Sequence, residues 1–269
     1  MAYEHILVER EGPITIVTLN RPQVYNALHK PSHFELEKAF DDFSADPDQW
    51  VAIVTGAGDK AFSAGNDLKY QAAGGERGWG KSGFGGLHTR FDCDKPIIAA
   101  VNGFAMGGGF EVALACDITV AAEGTRFGEP EVRFGTGIVA MLLPWAVLPK
   151  HAKEMLLTGN DKMDAARAHA IGIVNHVVPE QELLAFGRRM ALDIAAAAGP
   201  SVLFTKRAIN RTYEIMGMRD ALRASLDIDV ILNSAPSAEK DEFQRIRKAD
   251  GLKAALAWRD ARFSDGKKN

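Results

Sequence analysis

The stretch of sequence that decides the fold covers residues 102–111 and reads Asn-Gly-Phe-Ala-Met-Gly-Gly-Gly-Phe-Glu. Three consecutive glycines stand before a helix-like run at residues 112–116, and an apolar run, Ile97–Val101, precedes the stretch. The first N–H groups of a helix have no partner within it, and the helix dipole makes that end partly positive. The pattern predicts a strand, a turn and a helix whose amides can bind a negative oxygen, although tight packing or a phosphate site would suit the same glycines.

A second turn of small residues lies upstream, at residues 62–68, and reads Phe-Ser-Ala-Gly-Asn-Asp-Leu. It follows an apolar run at residues 51–54, which predicts a buried strand. Asp67 is expected to support this turn as a side-chain cap rather than to act as an acid. Two N–H donors, one from each turn, would form an oxyanion hole if the turns met.

The N-terminal part extends this pattern of strands and helices. Short β-branched runs at residues 5–8 and 14–19, separated by Glu11-Gly12-Pro13, predict an opening hairpin. Pro31 stands where a first helical turn tolerates proline, and apolar residues follow it at helical spacing. The polar, glycine-containing segment 74–86 indicates a mobile loop.

The C-terminal part is predominantly helical. Ile118–Ala122 predicts one more strand, and from Met141 onward most segments have helical spacing. A boundary is predicted near Gly199 and Pro200, because the segments after it carry charged residues on one face and apolar residues on the other.

Composition excludes several classes of protein. A chain of 269 residues with 46% hydrophobic residues can form one large domain, or a main domain with an appendage. Its net charge of -3 offers no positive patch, so no nucleic-acid partner is expected. Cys93 and Cys116 are expected as buried, reduced thiols, and the histidines show no metal spacing. Without a signal peptide or a run of about 20 apolar residues, a cytoplasmic protein with no membrane partner is expected.

Several short motifs occur in order along nearly the whole chain. The central ones are Ala-Phe-Ser-Ala-Gly-Asn-Asp-Leu at residues 61–68, the glycine stretch that ends in Glu111, and Phe-Gly-Glu-Pro-Glu at residues 127–131. Together they resemble the signature segments of the enoyl-CoA hydratase/isomerase (crotonase) superfamily. Further similar motifs are Asn20-Arg21-Pro22, Asn26-Ala27-Leu28, Cys116-Asp117, Leu157-Thr158-Gly159 and residues 170–179.

The resemblance implies an α/β fold, a crotonase-like spiral of repeated ββα units. Residues 1–199 would form this core and carry the active site, and residues 200–269 would form a helical C-terminal region for oligomerisation, as a homotrimer or a dimer of trimers. It further implies an acyl-CoA substrate and no cofactor apart from the coenzyme A of that substrate. The implied activity is that of an enoyl-CoA hydratase, with a double-bond isomerase, a thioester hydrolase or a C–C lyase as alternatives. A non-enzymatic coenzyme A-binding or RNA-binding relative is a third hypothesis. The presence of Glu111 and Glu131 and the net charge disfavour it.

The resemblance also assigns roles to individual residues. The N–H groups of Asn66 and Gly108 would bind the thioester oxygen and so form the oxyanion hole. Backbone along the early loop and the Ala-Gly turn would bind coenzyme A, at positions Val24, Ala27, Ala64 and Leu68. Arg262 or Phe263, in the C-terminal tail, would contact coenzyme A across a subunit boundary.

Two glutamates, Glu111 and Glu131, occupy the family's catalytic positions. Hydration needs a held water, a group that takes its proton and an acid for the α-carbon, so two carboxyls that face one small volume suit it. Glu111 would chiefly activate water and Glu131 would exchange the proton with the α-carbon, and their proximity should raise the pKa of one of them. The simpler alternatives are a helix-end role for Glu111 and a solvated turn for Glu131. Glu129 stands where hydratases commonly carry glutamine, and either lines the pocket or points to solvent.

One segment departs from the family pattern. Residues 137–144 read Gly-Ile-Val-Ala-Met-Leu-Leu-Pro, where hydratases usually carry a glycine-rich turn. Ile138 and Val139 are expected to line the acyl pocket, so the pocket shape must differ from that of a short-chain hydratase.

Overall fold

A computed structural model describes residues 3–137 and 141–264 of the chain. Within these residues, ten strands form two sheets and eleven α-helices surround them. The strands are β1 (Ile6–Glu11), β2 (Ile14–Leu19), β3 (Val51–Gly56), β4 (Ala61–Ser63), β5 (Ile97–Val101), β6 (Phe104–Met106), β7 (Ile118–Ala122), β8 (Arg126–Gly128), β9 (Met163–Asp164) and β10 (His176–Val178). The helices are α1 (Lys30–Ala45), α2 (Leu68–Ala72), α3 (Gly108–Ala115), α4 (Leu143–Ala146), α5 (Pro149–Thr158), α6 (Ala165–Ala170), α7 (Leu183–Ala196), α8 (Gly199–Ile215), α9 (Met218–Ser234), α10 (Ala238–Asp250) and α11 (Leu252–Ser264).

The larger sheet has the strand order β1-β2-β3-β5-β7-β10, and the smaller has the order β4-β6-β8-β9. The opening hairpin is antiparallel, with Ile6 opposite Leu19 in register, and every later pair of the larger sheet is parallel. In the smaller sheet β4, β6 and β8 run parallel and β9 joins them antiparallel. The carboxyl ends of β4, β6 and β8 therefore lie along one edge.

The chain repeats one unit three times. In each unit a strand of the larger sheet is followed by a strand of the smaller sheet and then by a helix or helical turn: β3-β4-α2, β5-β6-α3, and β7-β8 with the 3-10 turn Glu131–Phe134. This arrangement confirms the predicted spiral of ββα units.

The core lies on both faces of the larger sheet. Every residue of β3 and β5 is buried, as expected for central parallel strands covered on both sides. Helix α1 covers one face with Leu36, Phe40 and Phe43, and α7 covers the other. The apolar periodicity after Pro31 thus predicted both the helix and its buried stripe.

Helices α8 to α11 form the C-terminal region. Helix α8 begins at Gly199, next to the predicted boundary, and Lys206 on it forms an ion pair of 2.6 Å with Asp117 in the core. Helices α10 and α11 pack on each other around a small separate cluster that includes Phe243 and Ile246. The division into residues 1–199 and 200–269 stays a prediction.

The segment 74–86 differs in part from the expected mobile loop. Its last turn, Phe84–Gly86, is buried, and the Phe84 side chain is fully enclosed in the main core. Two aromatic residues, Trp79 and Phe84, among glycines and charges give no periodic signal, so the sequence did not reveal this anchor. Cys93 and Cys116 are buried free thiols, as predicted. Among the described residues, no helix combines the length and apolarity needed to cross a membrane.

Asn26 fixes the loop between β2 and α1. Its side chain accepts a hydrogen bond from the N–H of Arg21 and donates to the carbonyl oxygens of Ala57 and Ala61, at 2.9, 3.0 and 2.7 Å. The residue is buried and has a positive φ of 53°. It therefore ties the early loop to β4, which leads into the small-residue turn.

Replacing Asn26 with alanine is expected to lower the free energy of unfolding by about 2–4 kcal/mol, because three backbone groups lose their partner in a buried place. Urea unfolding measures the change. Gln23→Ala is the matched control, since Gln23 is exposed in the same loop, and its effect should stay within about 0.5 kcal/mol. Equal effects of the two substitutions would contradict the assigned role.

Candidate active site

The candidate site lies at the edge where β4, β6 and β8 end. The turn after β4 contributes Asn66, the first residue of α3 contributes Gly108, and the turn after β8 contributes Glu129 and Glu131. These residues and Glu111 line one cavity of about 420 Å³. The parallel order of three short strands thus brings together residues from distant parts of the sequence. The two that lie furthest apart, Asn66 and Glu131, are separated by 65 positions.

The two glycine-containing turns pack directly on each other. A Cβ atom built on Gly65 would lie 2.6 Å from the carbonyl oxygen of Met106 and 2.9 Å from the nitrogen of Gly108. A Cβ atom on Gly109 would lie 2.2 Å from the carbonyl oxygen of Ser63. Only glycine permits this backbone-to-backbone contact. The glycines therefore serve tight packing, and the same turns also line the site.

The contact leaves two backbone N–H groups beside the cavity. Around Asn66, the N–H of Leu28 donates to Gly65 and that of Asp67 donates to Leu28, while the N–H of Asn66 has no acceptor among the described residues. Gly108 is the first residue of α3, so its N–H has no acceptor within the helix. Both groups are available to an oxygen in the cavity.

Asp67 supports the first of these turns. Its carboxylate caps α2 by accepting hydrogen bonds from the N–H groups of Lys69 and Tyr70, as predicted. It also forms a buried ion pair with Arg21, whose guanidinium donates to the carbonyl oxygen of Ala27. These contacts hold the turn in place and leave Asp67 no acid–base role.

Glu111 projects from the first turn of α3 and is 1% exposed. Its Oε2 atom accepts a hydrogen bond of 3.1 Å from the N–H of Leu142, whereas its Oε1 atom meets no donor among the described residues. Burial raises the pKa of Glu111 well above 4.5, the Leu142 N–H opposes the rise, and the charge of Glu131 adds to it. The carboxyl is thus held by one oxygen, and the other has no hydrogen-bond donor among the described residues.

Glu131 begins the 3-10 turn that follows β8. A Cβ atom on Gly107 would lie 2.2 Å from Glu131 Oε1, so the middle of the glycine stretch makes room for this carboxyl. Burial raises the pKa of Glu131, while a hydrogen bond from Glu129, its own backbone N–H and the positive charge of Arg259 oppose the rise. Glu111 and Glu131 therefore face one volume, and both carry raised pKa values.

Glu129 lies in the cavity and not in solvent. It is fully buried, and neither of its carboxyl oxygens accepts a hydrogen bond from a donor in the described part of the chain. Burial, the charges of Glu131 and Glu111 and a hydrogen bond to Glu131 raise its pKa well above 4.5. The sequence left open whether Glu129 lines the pocket or points to solvent, and the structure places it in the pocket.

Aromatic and imidazole rings form one wall of the cavity. His29 contacts Tyr70 edge-on, with 4.8 Å between ring centroids, and His33 contacts Trp79 at 6.2 Å. Burial lowers the pKa of His29 to about 4, with the positive charges of Arg21 and His5 adding to it, and lowers that of His33 to about 3. Both rings are therefore neutral at pH 7.

The C-terminal helices form the opposite wall. Helices α9 and α10 contribute Asp229, Asn233, Phe243, Gln244 and Arg247. Sequence analysis missed these residues and the Leu142 N–H, because no motif marks a residue that reaches the site only through packing between distant helices.

The expected substrate-binding positions divide into three groups. Ala64 and Leu68 line the cavity, while Val24 and Ala27 lie in the adjoining loop and outside the lining. Ile138 and Val139 lie outside the described residues.

The tail residues Arg262 and Phe263 contact Glu239 and Arg133 of the same chain. In the described residues, no group of three or more His, Cys, Asp and Glu side chains is placed to hold a metal ion.

Comparison with known proteins identifies the family. The family model for enoyl-CoA hydratase/isomerase matches residues 9–264. A carnitinyl-CoA dehydratase from Citrobacter koseri is 43% identical over 218 residues, which are 79% of this chain and 82% of the relative. A solved enoyl-CoA hydratase/isomerase from Xanthobacter autotrophicus Py2 superposes with a TM-score of 0.90 at 43% identity, over 97% of this chain and 99% of that one. A carnitinyl-CoA dehydratase structure from Mycobacterium avium 104 superposes with a TM-score of 0.81 at 34% identity, over 88% of this chain and 94% of that one.

The fold, the paired turns and these matches define an enzyme of the crotonase superfamily. The chain belongs to the enoyl-CoA hydratase/isomerase family. The names of its relatives support a reaction of the hydratase and dehydratase type.

The contact between the turns predicts that Gly109→Ala lowers the free energy of unfolding by about 1–3 kcal/mol, since the new methyl group collides with backbone. Gly124→Ala is the control, because a Cβ atom there meets nothing within 4 Å. Thermal unfolding of the two variants measures the difference, and a Gly109 variant as stable as the Gly124 variant would refute the close docking.

The raised pKa of Glu129 predicts a pH-dependent effect on stability. The folded chain holds the proton of the Glu129 carboxyl more tightly than the unfolded chain does. The contribution of this protonation to the free energy of unfolding is therefore fully present below about pH 4.5 and is lost as the pH rises through the raised pKa. Glu129→Gln is therefore expected to match the wild type near pH 4 and to become progressively more stable than it at higher pH.

Urea unfolding between pH 4 and pH 8 measures this difference, with the exposed Glu123→Gln as control. A Glu129→Gln difference that stays constant across the range would show that Glu129 titrates normally.

Proposed function

We propose that this protein is an enoyl-CoA hydratase, which reversibly adds water across the α,β double bond of an acyl-CoA thioester. The observation that carries the proposal is the meeting of two backbone N–H groups, on Asn66 and Gly108, with two carboxyls around one cavity: that of Glu111, which is buried, and that of Glu131, whose Oε2 atom is buried.

The two N–H groups would bind the thioester oxygen. As water attacks the β-carbon, negative charge moves to this oxygen and gives an enolate-like transition state. Fixed donors in a buried site stabilise such charge, and each contributes about 3–4 kcal/mol to lowering the barrier. Because both donors are backbone amides held by packed turns, little reorganisation is needed when the charge develops.

The carboxyls would handle the water and its protons. Glu111 would hold the water through its Oε1 atom, the oxygen not engaged by Leu142. The water oxygen bonds to the β-carbon, its proton passes to Glu111, and the α-carbon takes a proton from Glu131. Dehydration reverses each step, with Glu131 taking the α-proton and Glu111 protonating the departing hydroxyl.

The alternatives share the oxyanion hole but ask less of the second carboxyl. A double-bond isomerase can move a proton with one base, and a thioester hydrolase needs no acid beside the α-carbon. A C–C lyase of the retro-aldol type needs one acid to protonate the enolate that cleavage leaves on the α-carbon, but no second group to hold a water. The retention of both glutamates supports hydration and dehydration above these reactions. The relatives' names point to acyl groups of the carnitinyl type as candidates for the substrate.

The proposed chemistry uses the coenzyme A of the substrate and no further cofactor. The predicted homotrimer or dimer of trimers stays a proposal, supported by apolar side chains that α8 and α9 expose in the single chain, among them Phe204, Ile215, Ile228 and Ile231. The cytoplasmic location remains a prediction.

Replacing either glutamate is expected to lower the rate of hydration about 10²- to 10⁴-fold in the variants Glu111→Gln and Glu131→Gln, because each loses a proton-transfer group while keeping its shape. The assay follows loss of the conjugated double bond in a panel of enoyl-CoA thioesters that includes short straight chains and the enoyl-CoA that dehydration of carnitinyl-CoA would give. Glu123→Gln should retain the wild-type rate.

Unchanged rates in both catalytic variants would refute the assignment. Migration of the double bond without uptake of water would instead identify an isomerase.

A further inference from the structure

Three carboxyl groups line the cavity, although the proposed reaction uses two. Glu129 and Glu131 are separated only by Pro130, and their side chains meet in the same cavity. Glu129 is fully buried, so its carboxyl has no access to bulk water. A carboxyl in such a place is costly unless it has a partner or a function.

The partner of Glu129 is another acid. Both oxygens of Glu129 and the Oε2 atom of Glu131 accept no hydrogen bond from any donor in the described residues. The two carboxyls lie within hydrogen-bond reach of each other. Two ionised carboxylates in this position would repel, whereas one proton between them gives a strong O–H···O⁻ hydrogen bond.

The surroundings decide which carboxyl keeps the proton. Arg259 on α11 stabilises the charge of Glu131, and Glu111 on α3 opposes ionisation of Glu129. The other titratable groups that line the cavity are His29, Lys30 and His33 at the start of α1, Asp67, Tyr70, Glu76 and Arg77 on and around α2, Asp229 on α9 and Arg247 on α10, and both imidazoles are neutral. Glu129 is also fully buried, whereas Glu131 is half-buried. The surroundings therefore disfavour ionisation of Glu129 more than that of Glu131, which favours the shared proton on Glu129.

We propose that Glu129 is a positioning residue that donates its carboxyl proton to a hydrogen bond with Glu131, and so keeps Glu131 ionised with a fixed oxygen directed at the α-carbon. This inference rests on the proposed function. In dehydration Glu131 must be ionised to take the α-proton, and burial alone works against that state. The hydrogen bond from Glu129 offsets part of the burial, and no atom of Glu129 touches the substrate.

Two substitutions separate the hydrogen bond from the rest of the side chain. Glu129→Gln keeps a donor of the same shape, since the amide N–H₂ can bond to Glu131. Glu129→Leu fills similar space without a donor, and it leaves the Glu131 carboxyl without this partner.

The experiment measures dehydration of a 3-hydroxyacyl-CoA across the pH range for the wild type and both variants. The glutamine variant is expected to keep kcat within about threefold, with the acid limb of the kcat/KM profile unmoved. The leucine variant is expected to lose roughly tenfold to hundredfold in kcat with KM nearly unchanged, and its acid limb should move to higher pH. Equal losses in the two variants, or a leucine variant with an unmoved acid limb, would overturn the proposal.

A second measurement does not depend on turnover. Infrared difference spectra at pH 7, wild type minus Glu129→Gln, should show the C=O stretch of a protonated carboxyl, and wild type minus Glu123→Gln should not. Absence of that band in the first difference would show that Glu129 carries no proton and would overturn the inference even if the enzyme is a hydratase. Its presence in a protein that dehydrates no 3-hydroxyacyl-CoA would support the shared proton and refute the proposed function alone.

Discussion

The rest of the site depends on the close approach of two backbone turns, one after β4 and one after β6. At Gly65 and Gly109 the chains come so near that a single additional carbon atom would collide with backbone. The parallel pairing of the two strands sets the approach, and the absence of side chains permits it. Because peptide groups are rigid, the approach also fixes where the N–H groups of Asn66 and Gly108 point. The proposed oxyanion hole is thus a consequence of how the smaller sheet ends.

Around this rigid centre the protein buries acids, which reduces its stability. Glu111, Glu129 and Glu131 lie in one enclosed volume, and each has a raised pKa chiefly because water is excluded. The groups that oppose the rise are few and differ for each acid: the Leu142 N–H holds Glu111, and Arg259 acts on Glu131. A set of chemically identical side chains can in this way hold protons with different affinity, which acid–base chemistry on adjacent carbons requires.

The sequence predicted the features that are encoded locally. The run Ile97–Val101, the glycine turn and the start of α3 are adjacent in the chain, so their order alone indicated strand, turn and amide-bearing helix. The cap formed by Asp67 was predictable for the same reason. The Leu142 N–H, the wall from α9 and α10 and the buried Phe84 were not, because each acquires its role from residues far away in the sequence. The position of Glu129 close to Glu131 was evident from the sequence, but the burial that makes the pair significant was not.

The apolar segment that departs from the family pattern shows how catalysis and substrate choice can be separated. Leu142 holds Glu111 through its backbone N–H, a group that every residue except proline provides. Its side chain is free to vary without loss of this hydrogen bond, and Leu142 also lines a second cavity, of about 780 Å³, beyond the first. Bulky residues in place of glycines can therefore reshape the acyl wall while Glu111 stays anchored. In the proposed mechanism, main-chain atoms of Asn66, Gly108 and Leu142 support the chemistry, so the side chains around them remain available to select the acyl group.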